Sequence, residues 1–116
     1  MTNTVNLFYK QQIDNAINKY DKFIINSVYG GQTEETLEKR KNQHIKNHPK
    51  FKGMQIRKVY KTTNENDKKY IKDAETYLIK KLKEKYGKKC LNIQNTGGAG
   101  ENHDKGDFHK IYIMFK

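Results

Sequence analysis

The stretch "KFIINSVYGGQTEETLEKRKNQH", residues 22–44, constrains the fold most, because it switches from a strand-like run to a charged helix. Phe, Ile, Val and Tyr crowd its first half and favour a half-buried strand, which Gly30 and Gly31 are expected to end. Thr33 then stands where a helix N-cap belongs. Glu34 and Glu35 follow in the first turn, where the helix dipole favours anions. The helix is predicted to run to about Asn47, since a residue before proline avoids helical angles and Pro49 follows.

The flanking segments repeat this mixture of periods. Val5 to Tyr20 places Val5, Phe8 or Tyr9, Ile13, Ala16 or Ile17 and Tyr20 at helical spacing. Met54 to Thr63 alternates Met54, Ile56, Lys58 and Tyr60 against Gln55, Arg57 and Val59, as a half-buried strand does. Asn64 to Gly87 reads as the longest helix, with Tyr70, Ile71, Ala74, Leu78 and Leu82 as its buried stripe and Gly87 as its stop. A glycine-rich loop over residues 95–107 leads to "FHKIYIMFK", residues 108–116, which reads as an alternating strand. The expected fold is α/β of the α+β kind. It has a small central antiparallel sheet of about three strands flanked by helices, in a single domain over 1–116.

Composition sets the limits on this core and on its partners. Only 34% of the 116 residues are hydrophobic and 32% are charged, so the core must be thin. No apolar run nears the ~18 residues of a membrane helix, and "MTNTVNLFYK" lacks a signal peptide's basic start and apolar stretch. Cys90 is the lone cysteine, which fits a reducing compartment and a small half-buried hydrophobe. An intracellular, soluble protein with no membrane partner is expected. The net charge of +11 costs self-repulsion on folding and points to a polyanion, foremost nucleic acid.

Arginine occurs only at Arg40 and Arg57; every other cation besides histidine is lysine. Arginine offers a planar fork that binds phosphate oxygens bidentately, whereas lysine is a point charge. Arg40 and His44 are four apart and share one helical face, flanked by Leu37 and Ile45. That face presents a phosphate clamp beside a group that titrates near neutral pH. The competing reading is a solvated face with Arg40 paired to Glu35 or Glu38. Glu75 lies at the edge of an apolar stripe, where a carboxylate is either an ion pair or a ligand for a hard cation.

In order, these residues resemble the GIY-YIG nuclease family over about residues 26–100. Tyr29, Gly30 and Gly31 stand for its YIG element, and Arg40 and His44 fill its helix positions. Glu75, the Leu78–Ile79 pair, Asn92 and Gly97–Gly98 resemble its metal-binding segment, with the Met54–Thr63 strand between the two blocks. The resemblance implies a divalent-metal-dependent endonuclease that hydrolyses DNA phosphodiester bonds, with duplex or branched DNA as partner. Glu75 would hold one Mg2+ or Mn2+ ion and Arg40 would neutralise transition-state charge. A tyrosine or His44, lowered in pKa by those cations, would handle the attacking water. Asn92, Gly30 and Gly31 would support the site, and Lys39, Lys41, Arg57 and Lys58 would contact nucleic acid. A chain this small would need a homodimer or a larger complex for sequence specificity.

The sequence departs from the family at the tyrosine of the GIY strand, which ordinarily precedes YIG by about ten residues and pairs with it as a hairpin. Either Tyr20 serves, or the chain is circularly permuted and Tyr112 in "KIYIMF" fills the place. The alternative function is a non-catalytic nucleic-acid-binding module of the same fold, and a third is a basic partner of an acidic protein. His48, His103 and His109 show no zinc spacing with Cys90, and "NTGGAGENHDKG" lacks the GK[ST] of a P-loop.

Overall fold

The computed structural model describes residues 4–61, 70–92 and 110–116. Three helices, α1 (Thr4–Tyr20), α2 (Leu37–Asn47) and α3 (Ile71–Tyr86), surround three strands, β1 (Val28–Thr33), β2 (Gln55–Lys61) and β3 (Lys110–Phe115). Short 3-10 turns follow α1, α2 and α3. The sheet is antiparallel in the order β1-β3-β2, so the last strand of the chain lies in the middle. The α+β architecture read from periodicity is the one observed. Among the described residues no helix is long and apolar enough to cross a membrane.

The central position of β3 explains its composition. Ile111, Tyr112, Ile113, Met114 and Phe115 are all buried, because both faces of the strand are covered. The strand is therefore apolar throughout rather than alternating as expected. On one face, Ile111, Ile113, Phe115 and Val28 pack against Ile13 and Ile17 of α1 and Ala74, Leu78 and Leu82 of α3. On the other, Tyr112, Met114 and Ile56 pack with Phe51 and Met54, and Tyr29, Leu37 and Ile45 close the cluster. The thin core anticipated from composition is thus split by the sheet into a larger and a smaller half.

Three local expectations change. Gly30 and Gly31 do not end the first strand; they lie inside β1, and Phe23 belongs to the Asp21–Phe23 turn. The helix N-cap is Thr36, whose Oγ1 accepts from the Lys39 N–H at 3.2 Å. Thr33 instead closes β1 and accepts from the Glu35 N–H at 3.0 Å. In β2 the alternation breaks at a bulge between Lys58 and Tyr60, so Val59 and Tyr60 both reach the larger core.

Of the predicted stripe, Ile71, Ala74, Leu78 and Leu82 are buried, with Ile79 and Glu75 buried beside them, while Tyr70 is half-buried and precedes the helix as its N-cap. Gly87 ends α3 at φ 55, as its stop position required. The expected helix start at residues 64–69, the strand end at 62–63 and the loop with Gly97, Gly98, His103 and His109 lie outside the described residues. Beyond β3, the carbonyl oxygen of Lys116 accepts from the N–H groups of Ile25, Asn26 and Ser27 at 3.2, 2.7 and 3.1 Å. These bonds fix the segment entering β1 against the end of the central strand.

Candidate active site

The candidate site begins with strand alternation. A Cβ at Gly30 would meet Leu78 of α3, whereas a Cβ at Gly31 would lie 2.4 Å from the Tyr112 hydroxyl. The two glycines therefore face opposite sides of the sheet. Gly31, Tyr112 and Lys58 form one row across it, in register. Gly31 is required because the Tyr112 phenol lies over the strand there, in the space any side chain would fill.

The phenol reaches α2. Its oxygen lies 2.7 Å from His44 Nε2 and accepts from Arg40 Nε at 3.3 Å. An arginine Nε–H can only donate, which leaves His44 Nε2 as the partner for the phenolic proton when the ring is neutral with its own proton on Nδ1. Burial, Arg40 and His48 together lower its pKa to about 4, in keeping with that assignment. The His44 ring also packs on Tyr29, centroids 4.9 Å apart, and on Phe51 at 4.8 Å.

Tyr29, Arg40, His44 and Tyr112 thus converge. Tyr20 does not join them; it stacks on Phe115 at 5.3 Å, against the larger core. Of the two tyrosines considered for the vacant position, Tyr112 is the one beside Arg40 and His44. Arg40 acting without a metal ion does not bring the pKa of either tyrosine below its ordinary value. Burial raises that of Tyr112, and it raises that of Tyr29 despite the opposing charge of Arg40. Tyr112 is 0% exposed, so its hydroxyl orients the groups above it rather than meeting solvent.

Arg40 is held on one side only. Besides its Nε bond, Nη1 donates to Gln43 Oε1 at 3.1 Å, and Gln43 Nε2 donates to Glu35 Oε1 at 2.9 Å. Five guanidinium N–H donors less these two leave three, both on Nη2 among them. The pairing of Arg40 with Glu35 or Glu38 is not formed: Glu35 takes Lys39 at 3.1 Å and Glu38 takes Lys41 at 3.2 Å. Gln43, one helical turn from Arg40, was legible from i,i+3 spacing but was overlooked for want of charge.

Asn92 acts as a surrogate strand. Its Oδ1 accepts from the Gly30 N–H at 2.9 Å and its Nδ2 donates to the Gly30 carbonyl at 2.8 Å. The Leu91 N–H donates to the Val28 carbonyl at 2.8 Å just before it. This caps the outer edge of β1 beneath the site.

Glu75 approaches from the other face. It is 6% exposed and accepts from Gln32 Nε2 at 3.2 Å, at the same edge of β1. Its charge contributes to the raised pKa of both Tyr29 and Tyr112. Among the described residues no three His, Cys, Asp or Glu side chains gather as a metal cage.

Lys39 and Lys41 lie on the solvent side of α2 in their ion pairs. Lys58 is exposed at the end of the Tyr112 row. Arg57 faces the other way, donating to the Ile56 carbonyl and to Gln55 Oε1, each at 2.8 Å. No family model matches the chain, and neither a curated protein nor a solved structure matches it.

Proposed function

We propose that the chain is a divalent-metal-dependent endonuclease acting on DNA phosphodiester bonds, in the manner of the GIY-YIG family with its strands circularly permuted. One observation carries the reading: the Tyr112 hydroxyl joins Arg40 at 3.3 Å to His44 at 2.7 Å, against Tyr29. Side chains from β1, α2 and the last strand converge there, and β3 runs antiparallel beside β1 where the resemblance calls for the missing strand.

In this reading Arg40 is oriented by Tyr112 and Gln43, and its outward donors take a scissile phosphate bidentately. His44, neutral at pH 7, keeps the Tyr112 proton directed away from Arg40, so the guanidinium holds its angle. Tyr29 is only partly buried and is the hydroxyl that can reach an attacking water. Glu75 and the substrate phosphate would hold Mg2+, which supplies Lewis-acid stabilisation of charge on the phosphate oxygens.

Single-turnover cleavage of duplex DNA with Mg2+ tests the proposal. Wild-type protein should cut. Glu75→Gln, which keeps the shape and loses the charge, should not, while binding DNA at least as well. Full activity in the Gln variant would reduce Glu75 to a structural residue. The burial of Tyr112 and the single carboxylate favour, as a second reading, a nucleic-acid-binding module without catalysis. That reading gains if wild-type protein binds DNA and leaves it intact with every divalent metal tried.

A further inference from the structure

The end of the sheet where β1 starts and β3 finishes bears a second surface, apart from the Arg40 site. Phe23 is 47% exposed and Ile25 65% exposed, though neither has a role in the core clusters. Phe23 is not loose: its ring stacks over Phe115 at 6.4 Å with 27° between planes, and Lys22 Nζ lies 5.2 Å from its centroid. Ile25 is fixed by its N–H bond to the Lys116 carbonyl. Both side chains are thus presented on rigid backbone.

Cations surround them. Lys116 Nζ donates to the Lys52 carbonyl at 2.9 Å, which brings Lys52 beside this end. The Gly87–Lys89 turn adjoins it through the Cys90–Val28 bridge. Lys22, Lys52, Lys88 and Lys89 are exposed, and none has a carboxylate partner among the described residues. Among the described residues the adjoining acid is Asp21, engaged by Tyr86 at 2.6 Å and Lys85 at 3.6 Å.

We infer that this surface binds an unpaired segment of nucleic acid, with a base stacked on Phe23, Ile25 in apolar contact, and phosphates on the adjoining lysines. Charge complementarity selects a polyanion, and a second copy of a +11 chain would set cation against cation. The apolar pair selects among polyanions. A duplex turns its phosphates outward and hides its base faces, so lysines alone would serve it. Unpaired bases expose π-faces, which stack on aromatic side chains set in a basic groove. The inference shares a nucleic-acid partner with the nuclease reading but needs no cleavage chemistry.

The test is fluorescence anisotropy of the full chain with labelled oligothymidylate and with a labelled hairpin duplex, at one salt concentration and without divalent metal. Phe23→Ala should weaken binding to the unpaired strand by about fivefold or more, the lower end of one stacked base, Ile25→Ser should weaken it as well, and both should leave duplex binding unchanged. Ile25→Ser guards against a folding artefact, because Ile25 lies in neither core cluster. Equal losses on both probes, or no loss on either, would overturn the inference. So would polyglutamate competing as well as oligothymidylate, which would make an acidic protein the partner. Single-turnover cleavage of duplex DNA with Mg2+ should be unchanged in Phe23→Ala and Ile25→Ser, so failure of one reading is separable from failure of the other.

Discussion

Gly31→Ala probes the site through packing, whatever reaction it performs. Gly31 does not have the positive φ that only glycine tolerates well. Its replacement by alanine would therefore be expected to stabilise by about 0.4–1 kcal/mol through the unfolded chain alone. The added methyl would lie 2.4 Å from the Tyr112 hydroxyl and 2.6 Å from its Cζ, so the phenol must move. Moving it breaks the bonds to His44 and to the charged Arg40, worth together about 2–4 kcal/mol. The net is a loss of about 1–3.5 kcal/mol, comparable to that of overpacked cores. Urea unfolding measures that loss, and the His44 proton resonances report its origin. Opening the packing should raise the His44 pKa from about 4 toward its ordinary 6.5. Gly30→Ala is the control. Its methyl would strike Leu78 at 2.7 Å on the opposite face, destabilising the fold while His44 stays unshifted. In a Tyr112→Leu background, Gly31→Ala should lose most of its cost, a coupling of about 1 kcal/mol or more. A Gly31→Ala protein as stable as wild type, with His44 unchanged, would refute the account of why glycine stands there.

Arg40→Lys should impair single-turnover cleavage within about tenfold as much as Arg40→Ala, since it keeps the charge but loses the fork; near wild-type rates would show that charge suffices. Global stability should fall as pH drops from about 6.5 to about 4, because the unfolded chain takes up a proton that folded His44 refuses, at a cost on the order of 2–3 kcal/mol. His44→Gln should flatten that part of the pH–stability curve, and an unchanged slope would place the titration elsewhere. Asn92→Leu should cost about 1–3 kcal/mol by leaving the Gly30 N–H and carbonyl unpaired at the covered edge of β1, measured by urea unfolding; no loss would mean that water replaces the amide.

Periodicity and composition located the described α-helices and strands, because each helix buries one stripe and β2 is half-exposed, while β1, with no exposed residue, is marked by its Val and Tyr. The strand boundaries near glycine were less legible. Gly30 and Gly31 resemble a turn in sequence, yet each is small because something presses on it, Leu78 from one face and Tyr112 from the other. Close approach from a distant part of the chain leaves no local trace. The shared face of Arg40 and His44 was legible because helical spacing is local. That Tyr112 supplies the link depends on pairing across a separation of 72 residues, and sequence left Tyr20 and Tyr112 both open. Burial of the two tyrosines is likewise invisible in sequence, and in the protein alone it outweighs the nearby Arg40.

Placing the last strand in the centre binds the fold and the site to one event. β1 and β2 each pair with β3 and not with one another. Until residues 110–115 dock, neither edge strand has a partner in the sheet, and the two core clusters lack Ile111, Ile113 and Phe115 on one face and Tyr112 and Met114 on the other. The same docking brings the Tyr112 hydroxyl between Arg40 and His44, so the site cannot be arranged on a partly formed sheet. The two edges left over are treated differently. That of β1 is closed by Leu91 and by the Asn92 amide, which also hold Gly30 under the site. That of β2 carries Arg57, Lys58 and Lys61, charges that discourage pairing with another strand. The covered edge needs precise backbone placement because the candidate site is built upon it; the charged edge needs only to stay soluble.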